Sequence, residues 1–232
     1  MTTFALVHGA WHGGWAFDPV AEHLRAAGHG VVAPDLPCED QEAGAERYAQ
    51  VVEQAIGSPE GDLVVVGHSL GGLTAPLVAR RRPVRRMVFL CALLPEPGRP
   101  LSDRFSDPDI FVPGPAERTA RGEDGLSRWL SEDDAIAAMY ADCDPAVARG
   151  AAARLRGQAP LPSREPSPLD RWPDVPSSYL LCTEDLMVGP AWSRRVAREV
   201  LGVEPIEWPG SHSPMLARPQ ELAGLLVELA QA

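Results

Sequence analysis

Ser69 stands at the centre of Gly67-His68-Ser69-Leu70-Gly71, directly after the apolar run Leu63-Val64-Val65-Val66 and directly before a stretch compatible with a helix. A serine hydroxyl is a poor nucleophile at neutral pH. It needs an imidazole to take its proton and a carboxylate to hold that imidazole in the right tautomer. The flanking glycines suit this chemistry. A sharp strand-to-helix turn strains the serine backbone and leaves no room for side chains two positions away. It lifts the hydroxyl above a sheet and aims the first helical N–H groups at whatever the serine attacks.

Where strand, nucleophile turn and helix follow in this way, the partners come in chain order serine, acid, histidine. His8, His12, His23, His29 and His68 all precede Ser69; only His212 follows it, in Trp208-Pro209-Gly210-Ser211-His212-Ser213-Pro214. That makes His212 the base. The acid belongs at the end of the strand before it, where Thr183-Glu184-Asp185 follows the apolar residues 179–182. Two adjacent carboxylates leave a choice. Asp185 is preferred because it lies beyond the strand edge and has the shorter side chain, Glu184 is the alternative, and Glu96 is a distant reserve.

These residues need a scaffold, and the hydrophobic pattern supplies one. Short apolar runs at 4–7, 31–33, 63–66, 86–94, 179–182 and 203–208 read as buried strands. They alternate with helical stretches at 18–27, 45–56, 190–201 and from 218 onward, and with a helix after Ser69 that Pro76 should kink. This alternation predicts a mostly parallel, doubly wound sheet. Between 95 and 176 the texture changes to proline and charge, with helical patches at 126–130, 133–140 and 145–155. The segment 98–172 is therefore expected to be a helical cap inserted over the catalytic face, leaving 1–97 and 173–232 as the core.

Composition narrows the function. A net charge of −11 argues against nucleic acid, which needs a basic face. All 21 basic residues are arginine, which removes Schiff-base chemistry, a phosphate-binding P-loop and Ser–Lys dyads. Cys38, Cys91, Cys143 and Cys182 show no metal-type spacing. No apolar run reaches membrane length, and the N-terminus lacks the basic region of a signal peptide, so a cytoplasmic location is expected.

Residues 4–15, 67–72, 182–185 and 210–215 together resemble the α/β-hydrolase branch of plant methylesterases, salicylate-binding esterases and hydroxynitrile lyases. The resemblance covers nearly the whole core and fades in the cap. It implies an α/β-hydrolase fold, a Ser69–His212–Asp185 triad, an oxyanion hole from the backbone N–H groups of Ala10 and Leu70, and neither metal nor cofactor. The expected reaction is hydrolysis of a small, largely apolar or aromatic carboxylic ester through an acyl-enzyme. Thioester hydrolysis, cyclisation in a biosynthetic pathway, or small-molecule binding with little turnover are the alternatives. Lyases of this branch carry Thr where Gly9 stands and Lys where Ser213 stands, which disfavours cyanohydrin cleavage here. Trp11, Trp15, Trp129, Met139 and Tyr140 are the candidate substrate walls, and no arginine cluster is expected among the site loops. The partner is a small-molecule ester, taken by a monomer or homodimer.

Overall fold

In the computed structural model, which describes residues 1–59 and 61–232, the chain begins β1 (Thr2–Val7), α1 (Asp18–Ala26), β2 (Gly30–Val32), α2 (Ala45–Ile56), β3 (Asp62–His68), α3 (Ala75–Arg81) and β4 (Arg86–Leu90). A hairpin, β5 (Thr119–Arg121) and β6 (Ser127–Trp129), and the helices α4 (Glu132–Met139), α5 (Pro145–Ala152) and α6 (Leu161–Arg164) occupy the segment before β7 (Ser177–Cys182). The chain then closes with α7 (Pro190–Leu201), β8 (Ile206–Trp208), α8 (Pro214–Ala217) and α9 (Pro219–Gln231).

Six strands form one parallel sheet in the order β2-β1-β3-β4-β7-β8. Strand side chains point alternately to opposite faces, and both faces are covered. Ala5, Val7, Val65, Phe89, Tyr179 and Leu181 pack with residues of α2, α3 and α7, while Phe4, Leu6, Val64, Val66, Val88 and Leu180 pack with α1 and α9. Each of the valine, leucine and phenylalanine side chains among these, wholly removed from water, contributes roughly 1.5–3 kcal/mol. The strand order reverses between β1 and β3, and open α/β sheets bind ligands in the crevice at the carboxyl ends of such a pair. Val7 lies in register with Gly67, so the loop after β1 and the turn carrying Ser69 leave the sheet side by side.

Three local expectations need correction. Pro76 does not kink a helix: residues Ser69–Leu73 form a separate 3-10 turn, and Pro76 falls in the first turn of α3, where its missing N–H costs nothing. Residues 126–130 are not helical but contribute β6, paired antiparallel with β5. The segment between β4 and β7 is thus mixed rather than wholly helical. β4 also stops at Leu90, because Cys91 takes a positive φ of 46° that cannot continue a strand. Among the described residues no helix is long and apolar enough to cross a membrane.

Candidate active site

Ser69 has φ of 50°, a left-handed conformation that is unfavourable for a residue with a Cβ. Its neighbours impose it. A Cβ on Gly67 would come within 2.8 Å of the Gly71 carbonyl oxygen, and one on Gly71 within 2.5 Å of the Val7 carbonyl oxygen. The motif is therefore a close approach of three backbone segments, and the serine projects from their crossing point.

At the ends of β7 and β8 the structure brings Asp185 to His212. The His212 Nδ1 donates to Asp185 Oδ2 at 2.8 Å, with both side chains 2% exposed. Asp185 Oδ1 accepts the N–H groups of Met187 at 2.7 Å and Val188 at 3.0 Å, so both carboxylate oxygens are engaged and the group is held in one orientation. Because a carboxylate only accepts, the imidazole proton is on Nδ1 and Nε2 carries the lone pair a general base needs. Glu184 points to solvent and Glu96 pairs with Arg104 at 3.1 Å; neither approaches His212 in the way Asp185 does. His68 ties this pair to the nucleophile turn. Next to Ser69 in the chain, it donates from Nε2 to the His212 carbonyl at 2.9 Å, with ring centroids 4.7 Å apart.

The two peptide groups expected to form an oxyanion hole have their carbonyls anchored. The Gly9 carbonyl accepts from His8 Nδ1 at 2.9 Å, and the Ser69 carbonyl accepts from the Leu93 N–H at 2.9 Å. In a trans peptide the N–H points opposite to the C=O. The Ala10 and Leu70 N–H groups are therefore turned away from those anchors, and both residues line the cavity that Ser69 lines. Gly9 is pressed against the nucleophile: a Cβ there would lie 2.7 Å from the Ser69 Cβ.

Sequence reasoning passed over three histidines that the structure places around this machinery. Burial lowers His8 to about 4 and His12 to about 3, and drives His68 well below the usual imidazole range. Each ring is thus neutral and carries one hydrogen, whose place its partners decide. His8 donates from Nδ1 to Gly9 and accepts the Leu36 N–H at Nε2, 2.9 Å away. His12 donates from Nδ1 to the Ala10 carbonyl at 2.9 Å and accepts the Tyr140 hydroxyl at Nε2, 2.8 Å away. Arg156 completes the set. Its N–H reaches the Trp11 carbonyl at 2.8 Å, and its guanidinium donates to the carbonyls of His12 at 2.7 Å and Leu36 at 3.1 Å. For His8 and His12 the sequence signal is the density of His and Gly in residues 8–14; nothing comparable marks His68 or Arg156.

The cavity at Ser69 has a volume of about 440 Å³. Its walls are mostly apolar: Trp11, Leu93, Leu101, Phe105, Phe111 and Val188. Of the five predicted wall residues, only Trp11 is among those lining it. Trp129 packs edge-on against Trp11 with ring centroids 5.4 Å apart, and Trp15 lies under the Arg154 guanidinium at 4.5 Å. Met139 and Tyr140 are 1% exposed, in a cluster with Ala135, Ala138 and Ala148. Two arginines that sequence reasoning did not single out, Arg121 and Arg164, both exposed, edge the cavity from the segment between β4 and β7. They escaped notice because they lie far from the catalytic loops in sequence.

Among the described residues one cluster has metal-ligand composition: donor atoms of Cys91, Asp185 and His212 lie within 4.8 Å of one another. Its chemistry suits a metal poorly. The Cys182 thiol hydrogen-bonded beside Cys91, together with burial, pushes Cys91 well above its usual range. The Asp185 oxygens are already committed to His212 and two amides.

Comparison with known proteins identifies the family. The model for the Alpha/beta hydrolase family matches residues 4–225. The chain is 28% identical to a pyrethroid hydrolase of Sphingobium wenxiniae, over 100% of this chain and 89% of that protein. It is 27% identical to methylesterase 7 of Arabidopsis thaliana, over 98% and 95% of the two chains. The crystal structure of a pyrethroid hydrolase from Sphingobium faniae superposes with a TM-score of 0.82 at 24% identity, covering 100% of this chain and 98% of the other.

Proposed function

The chain belongs to the alpha/beta hydrolase family, and from that membership and the site geometry we propose that it is a serine-dependent carboxylic ester hydrolase acting on small, largely apolar or aromatic esters. Ser69 Oγ attacks the ester carbonyl while His212 Nε2 takes its proton. Asp185 holds the imidazole and stabilises the cation that forms. The Ala10 and Leu70 N–H groups receive the developing oxyanion, and donors fixed in advance are worth about 10²–10³ in rate each. Collapse expels the alcohol, which takes its proton from His212. Water then attacks the acyl-Ser69 ester by the same route in reverse.

One observation carries this reading: a strained serine and a buried His–Asp pair, joined from Nδ1 to Oδ2, are tied to each other through His68 beside an apolar cavity of about 440 Å³. The names of the relatives, a pyrethroid hydrolase and a methylesterase, favour an ester with an apolar or aromatic body. In this reading residues 98–172 act as the cap, since Leu101, Phe105 and Phe111 supply much of the apolar wall. Four free cysteines suit a reducing compartment such as the cytoplasm, and the protein works there as a monomer or homodimer.

The test pairs a fluorophosphonate probe with a panel of methyl, p-nitrophenyl and thioesters. Stoichiometric labelling of Ser69 and turnover of neutral esters are expected, with Ser69→Ala abolishing the labelling and lowering turnover by several orders of magnitude. Near wild-type turnover in Ser69→Ala would refute the assignment. A clear preference for thioesters over matched oxygen esters would move the activity to thioester hydrolysis.

A further inference from the structure

An oxyanion donor works only if its N–H is held within a few tenths of an ångström of the position the charged oxygen will take. The loop that carries Ala10 is not a relaxed one. Trp11, the next residue, has φ of 63°, a left-handed conformation that a tryptophan does not adopt without constraint. The same loop touches the nucleophile at Gly9 and supplies a wall of the cavity through the Trp11 side chain. Release of the strain at Trp11 would therefore move the Ala10 peptide relative to Ser69.

The Arg156 N–H on the Trp11 carbonyl and the Trp11 indole N–H on Ser127 hold this turn from outside, and His12 constrains it from within. Its Nδ1–H reaches back two residues to the Ala10 carbonyl and closes a small ring around Trp11. That bond exists only while the hydrogen is on Nδ1. The group that keeps it there is the Tyr140 hydroxyl, 2.8 Å from Nε2. A neutral imidazole has one hydrogen and the Ala10 carbonyl can only accept, so Nε2 is the acceptor and Tyr140 the donor. Tyr140 follows the last residue of α4, remote from the loop in sequence, and is 1% exposed. Its ring meets the His12 ring edge to face at 5.9 Å. A phenol this deeply buried has a single productive orientation.

We infer that Tyr140 is a positioning residue for the oxyanion hole: through His12 it holds the strained turn at Trp11 and so sets the direction of the Ala10 N–H. This rests on the ester-hydrolase reading and adds to it a part for the segment between β4 and β7 beyond covering the site. The same segment also secures the base, since Asp142 accepts from Ser211, the residue before His212.

The test is Tyr140→Phe, which keeps the ring and removes only the donor. kcat on a neutral ester should fall about tenfold with KM within twofold of wild type, and the pH profile of kcat should keep its shape. The inhibition constant of a matched trifluoromethyl ketone, whose Ser69 adduct places its oxyanion in the hole, should weaken by the same factor. In a double-mutant cycle, His12→Ala with Tyr140→Phe should be no slower than His12→Ala alone, because both act through one bond. Should His12→Ala fail to fold, the ketone measurement on Tyr140→Phe decides. Wild-type kcat, a loss confined to KM, unchanged ketone affinity, or additive effects in the cycle would each overturn the inference. An inactive Ser69→Ala beside a fully active Tyr140→Phe would sink this inference alone; an active Ser69→Ala would sink the underlying reading instead.

Discussion

Lowering the pH from 7 to 5 should remove about 4 kcal/mol of folding stability through His8 and His12, two imidazoles that take no proton in the proposed reaction. Both are 1% exposed, and burial places them at about 4 and about 3, below the roughly 6.5 of an imidazole in the unfolded chain. Their folded values are depressed, so between these limits the unfolded state binds protons that the native state does not. Stability is then fully present above about pH 6.5 and is lost as the pH falls toward the folded values. At pH 5 each unfolded imidazole is almost wholly protonated, which corresponds to about 2 kcal/mol per ring. His68, likewise buried and lowered, acts in the same direction. Carboxylates blur this window little, since Asp124, Asp170, Glu204 and Glu207 are held below their ordinary values by guanidinium or backbone hydrogen bonds. Against a typical total of about 5–15 kcal/mol the loss is large. Urea unfolding at the two pH values measures it, and proton uptake on unfolding at pH 5 should be at least about two per molecule. A stability change under about 1 kcal/mol, or uptake below about one proton, would show that these rings are hydrated or charged in the native protein, and the tautomers assigned above would fall with them.

Asp185→Asn should lower kcat by about 10⁴, because the amide cannot hold His212 in the productive tautomer, while the exposed Glu184→Gln should stay near wild type; steady-state kinetics on one good ester ranks them, and the reverse order would move the acid. No cyanide should be released from mandelonitrile, since the chain has no lysine to receive it and Gly9, packed against Ser69, leaves no space for a hydroxyl side chain. Release that disappears in Ser69→Ala would contradict this. In a size-matched ester series, neutral members should show higher kcat/KM than anionic ones, because the cavity wall is mainly apolar and the net charge is −11. Equal or better rates for the anionic members would mean that Arg121 and Arg164 outweigh that wall.

The sequence by itself determined the layers and singled out Ser69 and His212 as the candidate nucleophile and base. Helices α2 and α7 were legible to the residue, because each buries one stripe of a helix and exposes the rest, and that period is written locally. Ser69 was legible because its glycines answer to contacts within one turn, and His212 because no other histidine follows the serine. The rest depends on which side chains meet across long stretches of chain. Whether Asp185 or Glu184 faces His212 is decided by the turn after β7, where two amides capture one carboxylate and leave the other in water. Residues 126–130 were misread as helical because β5 and β6 are short and largely exposed, with no buried period to mark them. Trp129, Met139 and Tyr140 have the composition of a substrate wall, yet they pack against the site's supports, and the wall comes instead from Leu101, Phe105, Phe111 and Val188. His8, His12 and His68 looked like histidines left over once the base was found. Only the tertiary structure could assign them, since a neutral imidazole takes its tautomer, and so its function, from the carbonyl on one side and the partner on the other.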